Sequence, residues 1–105
     1  MSLDTNRLLL LVEQSLKETN REVMNPKFDK LSIDDLKPVL NLAARCRADY
    51  IKDLFDISHE YPDALPPADR IERLKDHRIR YEELVSASQA LEAALERNYL
   101  DVDAN

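Results

Sequence analysis

Apolar residues recur along this chain at steps of three and four, the spacing that returns to one side of an α-helix. Leu8, Leu9, Val12, Leu16, Thr19 and Val23 share one such side. The spacing predicts a first helix from about Asp4 to Met24 with that side turned to the core. Ser2 or Asp4 can cap its start, and Asn25-Pro26 ends it. Leu3, Leu10 and Leu11 fall outside the stripe. A helix that stays apolar beyond one stripe is either sandwiched between elements or supplies an interface, so these three leucines are the expected interface residues.

Residues 27–31 read as a connector whose Phe28 and Leu31 can plug the end of a bundle. Ser32 can cap a second helix over about 33–60, with Asp34 and Asp35 favourably placed for its dipole. Pro38 predicts a break or kink near that position, because proline removes an i→i−4 hydrogen bond and clashes with the preceding turn. The apolar set of this helix runs from Val39 through Cys46, Tyr50, Leu54 and Ile57 to Tyr61, a sector wide enough for two neighbours. Pro62, Pro66 and Pro67 then enforce a turn. A third helix follows over about 68–98, its inner side carrying Leu74, Tyr81, Leu84, Val85, Ser88, Leu91 and Leu95. A tail from position 101 is expected to fray. The fold class predicted is all-α, an antiparallel three-helix bundle built on a long helical hairpin, in a single helical domain spanning 1–105.

Charge reinforces the hairpin. Asp49, Asp53, Asp56 and Glu60 lie at helical spacing before the turn, and Arg70, Arg73, His77 and Arg80 lie at the mirrored spacing after it. One antiparallel register faces Glu60 with Arg70, Asp56 with Arg73, Asp53 with His77 and Asp49 with Arg80. Exposed ion pairs contribute about 0 to 1 kcal/mol each. The expected value of this interhelical charge ladder is therefore specificity of register, while apolar burial supplies the driving force.

Composition removes several classes of function. The 105 residues include no glycine, which excludes glycine-rich phosphate cradles and nucleophile elbows. A net charge of −6 argues against gripping a nucleic-acid backbone or an anionic membrane surface. The best apolar run, Leu8 to Val12, is too short to span a bilayer, and no basic, apolar, small-residue leader pattern precedes it. The lone Cys46 has no internal disulfide partner and suits a reducing compartment. A cytoplasmic location is the expectation.

Candidate chemistry is sparse. In the hairpin register His59 lies about 10 Å along the axis from His77. Zinc ligands converge within about 2.0 to 2.3 Å of one ion, so no metal site is expected, and no cofactor. Ser58 and His59 diverge around the helix instead of meeting, and no nucleophile has a base at a diagnostic spacing. The cationic cluster Arg70, Arg73, Lys75, Arg78 and Arg80 is diluted by Glu72 and Asp76 and has no aromatic platform.

The run Phe55, Asp56, Ile57, Ser58, His59, Glu60 resembles, over those six residues, the phosphoacceptor box of sensor histidine kinases. The resemblance implies a histidine phosphorylated on a helical hairpin, with His59 as the phosphoacceptor. The chain departs from the pattern in three respects: Pro62 follows the histidine too soon, the glycine-rich nucleotide boxes are missing, and neither histidine is followed by the Lys-Gly pair of stand-alone phosphotransfer domains.

These observations point to a non-enzymatic helical protein-protein interaction module: an adaptor, a small chaperone or an assembly subunit. Its partner is a protein whose identity the chain does not specify, and homodimerisation is expected, without nucleic acid or membrane. Two alternatives belong to other classes. One is a phosphorelay-type regulator acting through His59, and the other is an acidic inhibitor whose carboxylates from Asp49 to Glu60 mimic a nucleic-acid backbone.

Overall fold

The computed structural model describes residues 2–104. Three long helices, α1 (Leu3–Met24), α2 (Ile33–Glu60) and α3 (Ala68–Glu96), make the chain all-α, and α2 and α3 form an antiparallel hairpin. A short 3-10 turn, Asn25–Lys27, follows α1. The backbone contacts group into two compact units, one of 1–35 with 91–105 and one of 36–90.

The continuous unit, 36–90, contains the hairpin. Proline residues stop α2, and the Pro67 carbonyl accepts hydrogen bonds from the Arg70 and Ile71 amides, which starts α3. Pro38 lies inside α2, and the helix is one element through it. The expected break is absent because proline this close to the N-terminus removes one hydrogen bond, while the remaining turns propagate cooperatively. The inner stripe of α2 is Ala43, Cys46, Tyr50, Asp53 and Ile57. The inner stripe of α3 is Arg70, Leu74, His77, Tyr81, Leu84 and Ser88. Both alternate steps of three and four, the seam of helices packed at a shallow angle. Tyr50 and Tyr81 meet across the seam with ring centroids 6.0 Å apart, and Arg47 donates through Nε to Tyr81 Oη at 3.2 Å.

The discontinuous unit joins α1 to the C-terminal segment. Ser2 caps α1, its Oγ accepting from the Thr5 amide at 3.1 Å. Asp35 supplies one half of a capping box at the start of α2: the Ser32 amide donates to its Oδ2 at 2.8 Å and the Ser32 hydroxyl to the same oxygen at 3.1 Å. α3 closes in a Schellman turn, with the Tyr99 amide bonded to the Ala94 carbonyl and the Asn98 amide to that of Leu95. The turn requires a left-handed residue. In a chain without glycine, Asn98 takes it at φ 60.

The tail expected to fray is pinned. Leu31 and Val102 form an isolated parallel bridge, with the Leu31 amide donating to the Asp101 carbonyl at 3.0 Å and the Asp103 amide to the Leu31 carbonyl at 2.7 Å. Leu100, between the Schellman turn and this bridge, is 1% exposed, the most enclosed large apolar side chain described. The third helix correspondingly ends at Glu96, short of the expected 98, so that the chain can turn into the bridge.

Burial is unevenly distributed. Among the described residues only Ile57, Ala94 and Leu100 are buried hydrophobics, whereas twenty large hydrophobics are exposed. The side of α1 expected to face a core is open: Leu9 is 45%, Val12 44% and Leu16 56% exposed, and no residue of α1 is buried. Phe28, expected to plug a bundle end, is likewise exposed. The half-buried positions of α1 are Asn20, Arg21 and Met24, so the helix is held by its last turns.

Candidate functional site

Three features stand out from this frame: an ion cluster inside the hairpin, a polar clasp on the C-terminal segment, and the uncovered side of α1. The ion cluster is centred on Arg70, which the first turn of α3 places at an inner position. Its Nη1 and Nη2 donate to the two carboxylate oxygens of Asp53 at 3.0 and 2.7 Å, and its Nε donates to Glu60 Oε2 at 3.0 Å. Asp53 and Arg70 are each 5% exposed, and Glu60 stays at the surface. A planar guanidinium satisfies both acids at once, a geometry that a lysine cannot reproduce.

The electrostatics follow from the contacts. Hydrogen bonding from Arg70 holds the Asp53 carboxyl below its ordinary value against the opposing effect of burial, and the charges of Arg70, His77 and Arg73 act in the same direction. The bonds to Asp53 and then Glu60 raise Arg70 further above its already high value, so it is always charged.

The structure thus brings together Glu60 with Arg70 in the ladder register, but gives Asp53 to Arg70 as well. His77 is half-buried and contributes charge to Asp53 without an ion pair. Asp56 turns to Lys52 on its own helix. Arg73 and Arg80 are exposed, as is Asp49, and no interhelical pair among these three is formed. Arg70 reaches two acids because it lies in the seam itself, whereas a ladder would place its rungs on the flanks.

The clasp in the other unit is built from Arg21, Asn25 and Asp101. Arg21 donates to the Asn98 carbonyl at 2.8 Å and pairs with Asp101. Asn25 Nδ2 donates to Asp101 Oδ2 at 3.0 Å, while its Oδ1 accepts from the Asp101 amide at 2.8 Å. Asp101 is held below its ordinary carboxylate value, first by Asn25 and then by Arg21. Sequence reasoning missed this cluster. The signal available was an Asn-Pro helix stop whose asparagine, free of capping α1 with its side chain, can bind another segment.

His59 is exposed, and its Nδ1 lies 2.8 Å from the Phe55 carbonyl oxygen. A carbonyl only accepts, so Nδ1 carries the proton and Nε2 of the neutral ring keeps its lone pair. Ser58 donates to the same carbonyl at 2.7 Å. No group of three or more metal-ligating side chains converges among the described residues, and none of their helices is long and apolar enough to cross a membrane.

Leu3, Leu10 and Leu11 are exposed on α1. A shallow groove on the same helix is lined by Leu8, Leu11, Val12, Ser15, Leu16 and Thr19. What these side chains can do is exclude water against another apolar surface. Comparison of the chain with protein-family models, with curated proteins and with solved structures finds no match.

Proposed function

We propose that this protein is a helical protein-protein interaction module of the cytoplasm, an adaptor or assembly subunit without catalytic activity of its own. The observation that carries the reading is the imbalance between three buried and twenty exposed large or core-type hydrophobics among the described residues. Monomers rarely leave contiguous apolar patches beyond a few hundred Å² uncovered, and larger ones mark association surfaces. The polar clusters are compatible with the same reading, because each ties the chain to itself: Arg70 to Asp53 and Glu60, and Arg21 and Asn25 to Asp101. The test is purification of the protein from its own cells after mild cross-linking. Cross-links from the exposed side of α1 to a partner or a second copy are expected. A chain that sediments alone, links to nothing and does not self-associate refutes the module.

A second reading rests on His59, whose Nδ1 is held by the Phe55 carbonyl so that Nε2 faces solvent as a nucleophile. It treats the protein as a phosphorelay-type regulator. Incubation with acetyl phosphate and partner kinases should add the mass of one phosphoryl group, lost in His59→Ala; an unchanged mass throughout removes it. The acidic-mimic reading has less support, since Asp53 and Glu60 are engaged by Arg70 and Asp56 by Lys52.

A further inference from the structure

We infer that Arg21, Asn25 and Leu31 form a receptor for an extended peptide carrying an apolar residue followed by aspartate, and that residues 98–103 of the chain occupy it in cis as a detachable ligand. The occupant in trans is the same pattern on a partner protein. This rests on the interaction-module reading and gives it a binding site apart from the open side of α1.

Receptor and ligand both lie in the discontinuous unit. Four main-chain groups of the segment are held. Arg21 donates to the Asn98 carbonyl at 2.8 Å, and Asn25 Oδ1 accepts from the Asp101 amide at 2.8 Å. Leu31 donates to the Asp101 carbonyl at 3.0 Å and accepts from the Asp103 amide at 2.7 Å. Strand addition of this kind gives affinity to any extended chain, and side-chain contacts then give specificity. Two positions are read. The Asp101 carboxylate meets Arg21 and Asn25 together, and Leu100 is 1% exposed. Val102 is half open to solvent, so the pattern demanded is Leu-Asp and not a longer one.

The segment is built to come away. Its bonds to Arg21 and Asn25 are solvent-exposed, and Leu100 is the one large hydrophobic it encloses. Few buried apolar contacts and exposed hydrogen bonds place a segment at the low end of local stability. It leaves α3 through Asn98, whose left-handed turn at φ 60 costs a residue with a Cβ more than it costs glycine. A second copy would bring only the same contacts, against a tethered segment whose effective concentration reaches the millimolar range. A different protein can bring more. A groove of about 360 Å³ lined by Glu18, Arg21, Glu22, Asn25 and Pro26 adjoins the clasp, with no residue of 98–103 in its walls.

The test uses the full chain and a fluorescein-labelled peptide of residues 98–104, followed by fluorescence anisotropy. Leu100→Ser with Asp101→Ser disables the cis segment and keeps Arg21, Asn25 and Leu31. This variant should bind the peptide about 100-fold more tightly than the parent chain, whose tethered segment competes. Asp101→Ser in the peptide should cost about 10-fold or more, the loss of a charged hydrogen bond. Because losing the enclosed Leu100 can unfold the double variant, Asp101→Asn supplies a second measurement: it keeps Leu100, weakens only the hold of Arg21 and Asn25, and should bind about 10-fold more tightly than the parent. A folded double variant that ignores the peptide overturns the receptor; if it is unfolded, an Asp101→Asn chain no tighter than the parent does so. Equal affinity in parent and variants overturns the cis occupancy. Any of these results, obtained while α1 still cross-links to a partner, removes this site and leaves the interaction module standing.

Discussion

Arg70 grips Asp53 with both terminal nitrogens across the hairpin, seventeen positions away in sequence, inside a seam that is mostly apolar and aromatic. Burying an ion pair is a weak source of net stability, since desolvation offsets most of the attraction, but removing one partner leaves a charge stranded. What the pair contributes is uniqueness: slipping either helix by one turn leaves Asp53 and Arg70 opposite apolar neighbours.

Asp53→Asn should therefore destabilise the protein by about 3 kcal/mol, the low end for a broken buried pair because Glu60 still holds Arg70. Chemical denaturation measures this. Asp53→Leu combined with Arg70→Met should recover much of the loss, as apolar replacement of a buried pair is often neutral. A double variant that is merely the sum of its singles would show that the two residues do not act as a unit.

Acid should weaken both units. Asp53 and Asp101 have native values depressed below the ordinary 3.8, so the unfolded chain takes up protons first as pH falls. The stability tied to each group is complete above about pH 5 and is lost as pH drops through 3.8 toward the depressed native values. Urea midpoints collected from neutral pH downward should fall in that window, with a shallower slope in Asp53→Asn. An equal slope in both proteins would exclude Asp53 as a source of the effect.

Asn98 should tolerate glycine better than alanine. At φ 60 a Cβ without a compensating local hydrogen bond costs about 1 to 2 kcal/mol, so Asn98→Ala should lower the melting temperature and Asn98→Gly should hold or raise it. Thermal unfolding followed by circular dichroism distinguishes them, and the reverse order would rule out the left-handed turn.

Asn25→Ala should loosen the C-terminal segment selectively. Asn25 meets both the amide and the carboxylate of Asp101, so its removal should speed hydrogen exchange at the Leu31 and Asp103 amides, the two bonds of the parallel bridge. Amides in the middle of the hairpin, such as those near Tyr50, should be unaffected. Uniform acceleration throughout would show that the clasp is not a local fastening.

The helices and the hairpin were legible because their signals are local and redundant: three-and-four spacing, a serine cap, an Asn-Pro stop and a proline-rich turn. The inner side of α3 follows Leu74, Tyr81, Leu84 and Ser88 as its spacing predicts. Spacing could not say what covers a stripe. Leu9, Val12 and Leu16 have the pattern of core residues whether the neighbour is in the same chain or in another, and in the fold they are 45%, 44% and 56% exposed. The ion cluster was half legible. Arg70 and Glu60 were paired by register, but Asp53 and Arg70 are also in phase with the apolar seams, at Tyr50-Asp53-Ile57 and Arg70-Leu74, and that phase assigns them to the interior. The clasp was illegible because Asn25 and Asp101 are related by no periodicity.

The parallel bridge between Leu31 and Val102 has a consequence for the order of assembly. Residues 36–90 form contacts within one continuous stretch and can collapse as soon as they leave the ribosome. The strand partners at 31 and 102 enclose that entire stretch, so the entropy of closing so large a loop defers their meeting. Translation therefore yields a finished hairpin first, with helix α1 waiting for residues 98–103 before its base is fastened.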